Sequence, residues 1–123
     1  MTSLRRYDSS QMDWQKHPTV PSIRVKVFES RATGTAYDAA MVQLAPSEWI
    51  NWHRHPESSE TVYVIQGTGL IFGVTDEVQQ TDAVGLDMAP GVVVTIPVGL
   101  RHAVHNTSDQ TMLILAVHSP PTL

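Results

Sequence analysis

Cysteine is absent from the 123 residues. That removes disulfides, thiolate metal ligands and cysteine nucleophiles together, and it fits a reducing compartment. Basic runs are scarce as well. Arg5-Arg6 is the only adjacent basic pair, and the formal net charge is −4. A nucleic-acid surface needs a basic face that displaces counterions from phosphates, so no nucleic-acid partner is expected. No apolar run approaches the roughly 20 residues that span a bilayer. The opening stretch MTSLRRYDSSQMDW also lacks the apolar core of a signal peptide. The sequence therefore reads as soluble and cytoplasmic, with no membrane partner. Helical periodicity is missing too: no segment of ten or more residues repeats its apolar positions at helical spacing.

What the chain does have is a succession of short Val- and Ile-rich runs separated by Gly, Pro, Asn or Asp. The clearest are Ile23–Phe28, Tyr37–Leu44, Thr61–Gln66, Gly69–Val74, Val92–Ile96 and Met112–His118. Many short strands at regular spacing predict an all-β, antiparallel sandwich or small barrel in a single domain. A domain of this size buries roughly two thirds of its unfolded surface and folds without staples. Residues 1–22 are polar, with Pro18 and Pro21 near their end, and read as an arm that is loose or packed across something else. The barrel is expected over residues 23–119, leaving 120–123 as a tail. The turn Gly67-Thr68-Gly69 lacks the third glycine and the following helix of a phosphate loop, so it reads as a hairpin turn.

The densest chemistry lies in WHRHPESSE, residues 52–60. Such a cluster can be a polar loop, an acid–base pair or half of a metal site. On an extended chain, side chains two apart share a face at about 6.6 Å, so His53 and His55 point the same way. Imidazoles at that spacing can converge on one ion through bonds of about 2.0–2.2 Å. A turn at Pro56–Ser59 would return Glu60 at the start of the next strand, where it could add a carboxylate oxygen. Downstream, GVVVTIPVGLRHAVHN carries a single His102 just after Pro97-Val98-Gly99.

Taken together, these two stretches resemble the paired motifs of a small single-domain cupin of the type-2 kind. The first family motif runs G-x5-H-x-H, three or four residues, then E-x6-G; His53, His55, Glu60 and Gly67 fall on it. The second runs G-x5-P-x-G-x2-H-x3-N, and Gly91, Pro97, Gly99, His102 and Asn106 match throughout. The leading glycine of the first motif is replaced by Ser47, which puts the local backbone there in question rather than the ligands.

The resemblance implies a jelly-roll barrel holding one divalent transition metal on His53, His55, Glu60 and His102. Gly91, Pro97, Gly99 and Asn106 would be scaffold. Three imidazoles and a carboxylate suit Fe, Mn, Ni, Co or Zn. The resemblance further implies a small metalloenzyme acting on a small bidentate organic substrate, of dioxygenase, decarboxylase, lyase or isomerase type. The alternative is a non-catalytic cupin that binds or senses a small molecule or sugar.

Other residues carry weaker expectations. Strand alternation turns His105 outward, and it places Trp49 and Asn51 on the face of His53, where they could line the cavity. His17 and His118 lack a spacing partner and read as surface or core residues. Glu57 reads as a solvated loop residue, Arg54 faces away, and Arg101 precedes a turn. Alternation also takes Glu60, Val62 and Val64 inward and Thr61, Tyr63 and Ile65 outward. An apolar outer face of that kind usually meets a partner, so a homodimer is expected.

Overall fold

The computed structural model describes residues 3–75 and 80–123. Ten strands follow one another: β1 Gln15–Lys16, β2 Ile23–Glu29, β3 Asp38–Leu44, β4 Trp49–His53, β5 Ser59–Gln66, β6 Gly69–Val74, β7 Gly85–Met88, β8 Val93–Ile96, β9 Arg101–His105 and β10 Met112–Ser119. They form a six-stranded sheet in the order β1-β2-β3-β10-β5-β8 and a four-stranded sheet in the order β4-β9-β6-β7. All the pairings are antiparallel. From β3 onward the chain crosses repeatedly between the sheets, giving the all-β jelly-roll sandwich expected. Among the described residues, no helix is long and apolar enough to cross a membrane.

Alternation explains the packing. Along β3 and β10, buried and half-buried residues alternate strictly, so Ala40, Val42 and Leu44 share an inner face with Met112, Ile114 and Ala116. Across the sandwich, Ile50, Ile71 and Val104 of the smaller sheet complete one apolar core with Val25, Val62 and Val64. Each fully buried side chain of this kind contributes about 1.5–3 kcal/mol relative to exposure. Glu60, Val62 and Val64 point inward and Tyr63 and Ile65 outward, as alternation predicts.

In β4 the alternation breaks at a point that bears on the site. In the β4–β9 pair, Trp49 faces His105 and Ile50 faces Val104, yet His53 faces His102, so β4 carries one extra residue between Ile50 and His53. This bulge moves the inward position from even to odd numbers. Ile50 and His53 therefore both face the interior, whereas Trp49 and Asn51 are exposed, contrary to the expectation from simple parity. Trp49 instead stacks on His105, with ring centroids 4.1 Å apart, on the outer face.

The scaffold residues have visible work. Asn106 is fully buried; its amide donates to the carbonyls of Leu44, Ala45 and Gln110, and its oxygen accepts from the Ser108 amide and hydroxyl. Ser47 adopts φ +67°, the left-handed conformation that a glycine at this position would take without steric cost. The arm is packed rather than loose. Its β1 pairs with β2, the Lys26 ammonium donates to the Ser9 carbonyl and lies over Trp14, and Val20 packs against the core.

Candidate metal centre

The site lies between two rungs, one from each sheet. On the smaller sheet, the β4 bulge sets His53 directly opposite His102, with ring centroids 4.2 Å apart. On the larger sheet, Asp38 of β3, His118 of β10 and Glu60 of β5 stand side by side in register. His55, two residues past the end of β4, comes between the rungs. Its backbone carbonyl accepts from the Gly99 amide at 3.0 Å, which ties the two motifs together.

Hydrogen bonds fix how the imidazoles present themselves. A carbonyl can only accept, so Nδ1 of His53 donates to the Asn51 oxygen at 2.7 Å, and Nδ1 of His102 donates to the Leu100 oxygen at 2.9 Å. With the proton held on Nδ1 in a neutral ring, the Nε2 lone pair is free. Backbone partners of this kind fix tautomer and ring orientation in metal-binding histidines. His102 is 2% exposed, and its Nε2 makes no hydrogen bond. Burial also pulls His53 below the ordinary histidine pKa, which keeps that ring neutral and able to ligate.

Glu60 supplies the charge. Its Oε1 lies 3.5 Å from His55 Nε2 and 3.4 Å from His102 Nε2, while Oε2 lies 3.2 Å from His118 Nε2. Burial alone would raise this carboxyl, but the surrounding imidazoles of His102, His118 and His55 hold it well below the usual carboxylate range. Ligand atoms of His53, His55 and His102 lie within 4.8 Å of one another, and so do those of His55, Glu60 and His118. Donors opposite each other on an octahedral ion are about 4.2 Å apart, given bonds of about 2.1 Å. The donor set and the unsatisfied nitrogen of His102 thus fit a divalent transition-metal ion.

The structure brings all four of His53, His55, Glu60 and His102 to one place. His118 is buried, one of the two places the sequence allowed it, but it has partners that its position in the sequence did not show. Its Nδ1 donates to Asp38 Oδ1 at 2.7 Å, and its Nε2, which makes no hydrogen bond, lies 3.2 Å from Glu60 Oε2. Burial works against its charge, yet Asp38 and Glu60 outweigh that and raise its pKa to about 9. Asp38, completely buried, takes further bonds on Oδ2 from the Thr122 amide and hydroxyl and the Leu123 amide. Residues 120–123, read from sequence as a tail, are therefore joined to the site and line its cavity.

The cavity measures about 830 Å³, and its apolar walls include Val42, Ile50, Val62, Ile71 and Val104. His17 of the arm reaches this wall, its Nδ1 accepting from the Thr19 and Val20 amides, with burial lowering its pKa. Exposed Arg54 and Glu57 border the same space, so Arg54 does not face away as alternation predicts. The strand ends at His53, and alternation no longer applies beyond it. His105 is outward, as expected. Arg101 does not line the cavity.

A jelly-roll sandwich with a histidine–carboxylate cluster in its interior defines a class of β-barrel proteins with a candidate metal site. Within that class, this chain belongs to the Cupin domain family, whose profile matches residues 40–118. It is 32% identical over 78 residues, 63% of its length, to Germin-like protein 5-1 of Oryza sativa subsp. japonica. The chain spans about a third of that relative, 34% of its length. Among solved structures it resembles KdgF from Halomonas sp., with a TM-score of 0.76 at 18% identity, covering 96% of this chain and 94% of that one. A predicted oxalate decarboxylase from Thermotoga maritima gives a TM-score of 0.78 at 18% identity, over 94% of this chain and 99% of the other. At such identities the likeness is one of fold.

Proposed function

We propose that His53, His55, Glu60 and His102 hold one divalent transition metal, and that the chain is a small metalloenzyme acting on a small bidentate organic substrate. The observation that carries this reading is the buried Nε2 of His102, which has no hydrogen bond and sits among two further imidazoles and an ionised carboxylate. Held by His53, His55, Glu60 and His102, a divalent ion would supply Lewis-acid polarisation of a substrate oxygen. The protein's own groups do the rest. The Asn51 and Leu100 carbonyls aim two of the rings, Glu60 offsets the ion's charge, and the apolar walls exclude water from the remainder of the cavity.

A cupin that binds a small molecule without turning it over is the second reading, and one experiment separates the two. The purified chain is offered Fe, Mn, Ni, Co and Zn in turn, and bound metal is measured by plasma mass spectrometry. About one ion per chain is expected, and a chain that stays empty overturns the metal centre. The loaded protein is then incubated with oxalate, hydroxy acids, diketones and phenols, following product formation and oxygen uptake. Saturable binding without product would favour the binding module. A homodimer belongs to the same proposal, because Tyr63, Ile65 and Val93 leave apolar surface open at 45%, 40% and 57% exposure. Sedimentation velocity tests it, and a monomer across the accessible concentrations would rule it out.

A further inference from the structure

We propose that His118, anchored by Asp38, is a positioning residue that fixes the orientation of Glu60 toward the metal. The inference rests on the metal-centre reading above and goes beyond it by giving a role to residues outside the ligand set.

The register of three strands makes the arrangement. His118 is the Cα partner of both Asp38 and Glu60, so the three side chains form one inward-facing rung across β3, β10 and β5. Asp38 is immobile. It is 0% exposed and accepts from the His118 amide and ring on Oδ1 and from Thr122 and Leu123 on Oδ2. A ring tied to such an anchor by a 2.7 Å bond has its far nitrogen fixed in space. That nitrogen lies 3.2 Å from Glu60 Oε2.

Glu60 has a flexible side chain, and without a partner on Oε2 it could turn either oxygen, or both, toward an ion. With Oε2 engaged by His118, Oε1 alone faces His55 and His102. The sequence motifs do not include this pair, and the anchor extends to residues 122 and 123.

The test uses the full chain loaded with Co(II), reading affinity by chelator competition and coordination geometry from the visible d–d spectrum. Substituting His118→Leu is expected to weaken Co(II) binding roughly tenfold to a hundredfold, the usual range for loss of a group that orients a ligand. The d–d bands should shift as Glu60 changes its mode of binding. In His118→Gln the side-chain amide can still donate toward Glu60, so affinity should recover to within a few-fold of the parent and the spectrum with it. Native affinity and native spectrum in His118→Leu would overturn the proposal. Should His118→Leu fail to fold, pulsed EPR of the unaltered chain loaded with Cu(II) decides instead. Three coordinated imidazoles are expected, and a fourth would make His118 a ligand and overturn its positioning role. A chain that takes up no metal at all removes the metal centre itself, whereas normal uptake with an indifferent His118 removes only this inference.

Discussion

Two glutamates on the larger sheet, Glu29 and Glu60, are both buried and both surrounded by proton donors or cations, yet they serve different ends. Glu29 closes β2 and is bound by Arg5, Tyr7 and Thr33, a latch that fastens the arm to the barrel. The Arg5 guanidinium, with Tyr7, pulls its pKa down to about 2. Glu60 opens β5, and its company comes from the other sheet and from a strand paired to its own. The latch is made by long, exposed side chains reaching in from a neighbouring segment. Apart from His55, the inner cluster is made by strand register, so Asp38, His53, Glu60, His102 and His118 keep their places as long as the strands stay paired. The same elements of charge thus give a detachable fastening in one place and a fixed site in the other.

The sharpest way to break this comparison is to remove one member of each. His102→Ala should reduce Mn(II) or Co(II) affinity by more than about a hundredfold, beyond the range seen when only an orienting partner is lost. Glu29→Gln should leave affinity within twofold. Isothermal titration of both variants checks this, and equal losses would deny that the two networks are separate.

Next in size is Asp38→Asn. It breaks a buried, charge-assisted bond and leaves His118 facing an amide, so urea denaturation of the metal-free chain should show a loss of about 3 kcal/mol. A change below about 0.5 kcal/mol would mean that the rung does not hold the sheet together.

A smaller contrast is expected with pH, and the two networks should fail at opposite ends. His118 has a folded pKa raised to about 9, so its contribution is complete below the unfolded value near 6.5 and is lost as pH rises through about 9. Glu29 has a depressed folded pKa, so its contribution is present above about 4.5 and disappears as pH falls through about 2. Urea midpoints of the metal-free chain should therefore decline from pH 7 to pH 10, and His118→Gln should flatten that decline.

The smallest effect is Arg5→Ala. Amide exchange at Gln15 and Lys16 should quicken while the urea midpoint at pH 7 falls only slightly, since Tyr7 and Thr33 still bind Glu29.

Much of this could be read from the chain itself. Six strands were visible as β-branched runs, with ends displaced by a residue or two, and the spacing of the two motifs brought forward all four of His53, His55, Glu60 and His102. What escaped has physical reasons. β7, Gly85–Met88, is too short and too polar to stand out from its turn. His118 had no partner nearby in sequence because Asp38 is 80 residues away, and only strand order brings them together. A signal was nonetheless present: Met112, Ile114, Ala116 and His118 share one parity, as do Asp38, Ala40, Val42 and Leu44. A histidine and an aspartate at the ends of two inward-facing apolar series need each other, or another partner, to be buried. The bulge in β4 left no such trace, because an inserted residue looks like any other until the strand is paired.

That bulge acts as a phase slip in an otherwise regular oscillation. The first half of β4 shows Trp49 to the outside, and the slip lets the last residue of the same short strand turn an imidazole inward without a change of sheet or direction. Removing a single residue between Ile50 and His53 would restore the regular period and keep His53 opposite His102, whereas a strand of the present length without the bulge would turn His53 out of the barrel. The ligand geometry thus depends on one irregular step of the backbone, and the chain can lose its site by a change that flattens the bulge and touches no ligand at all.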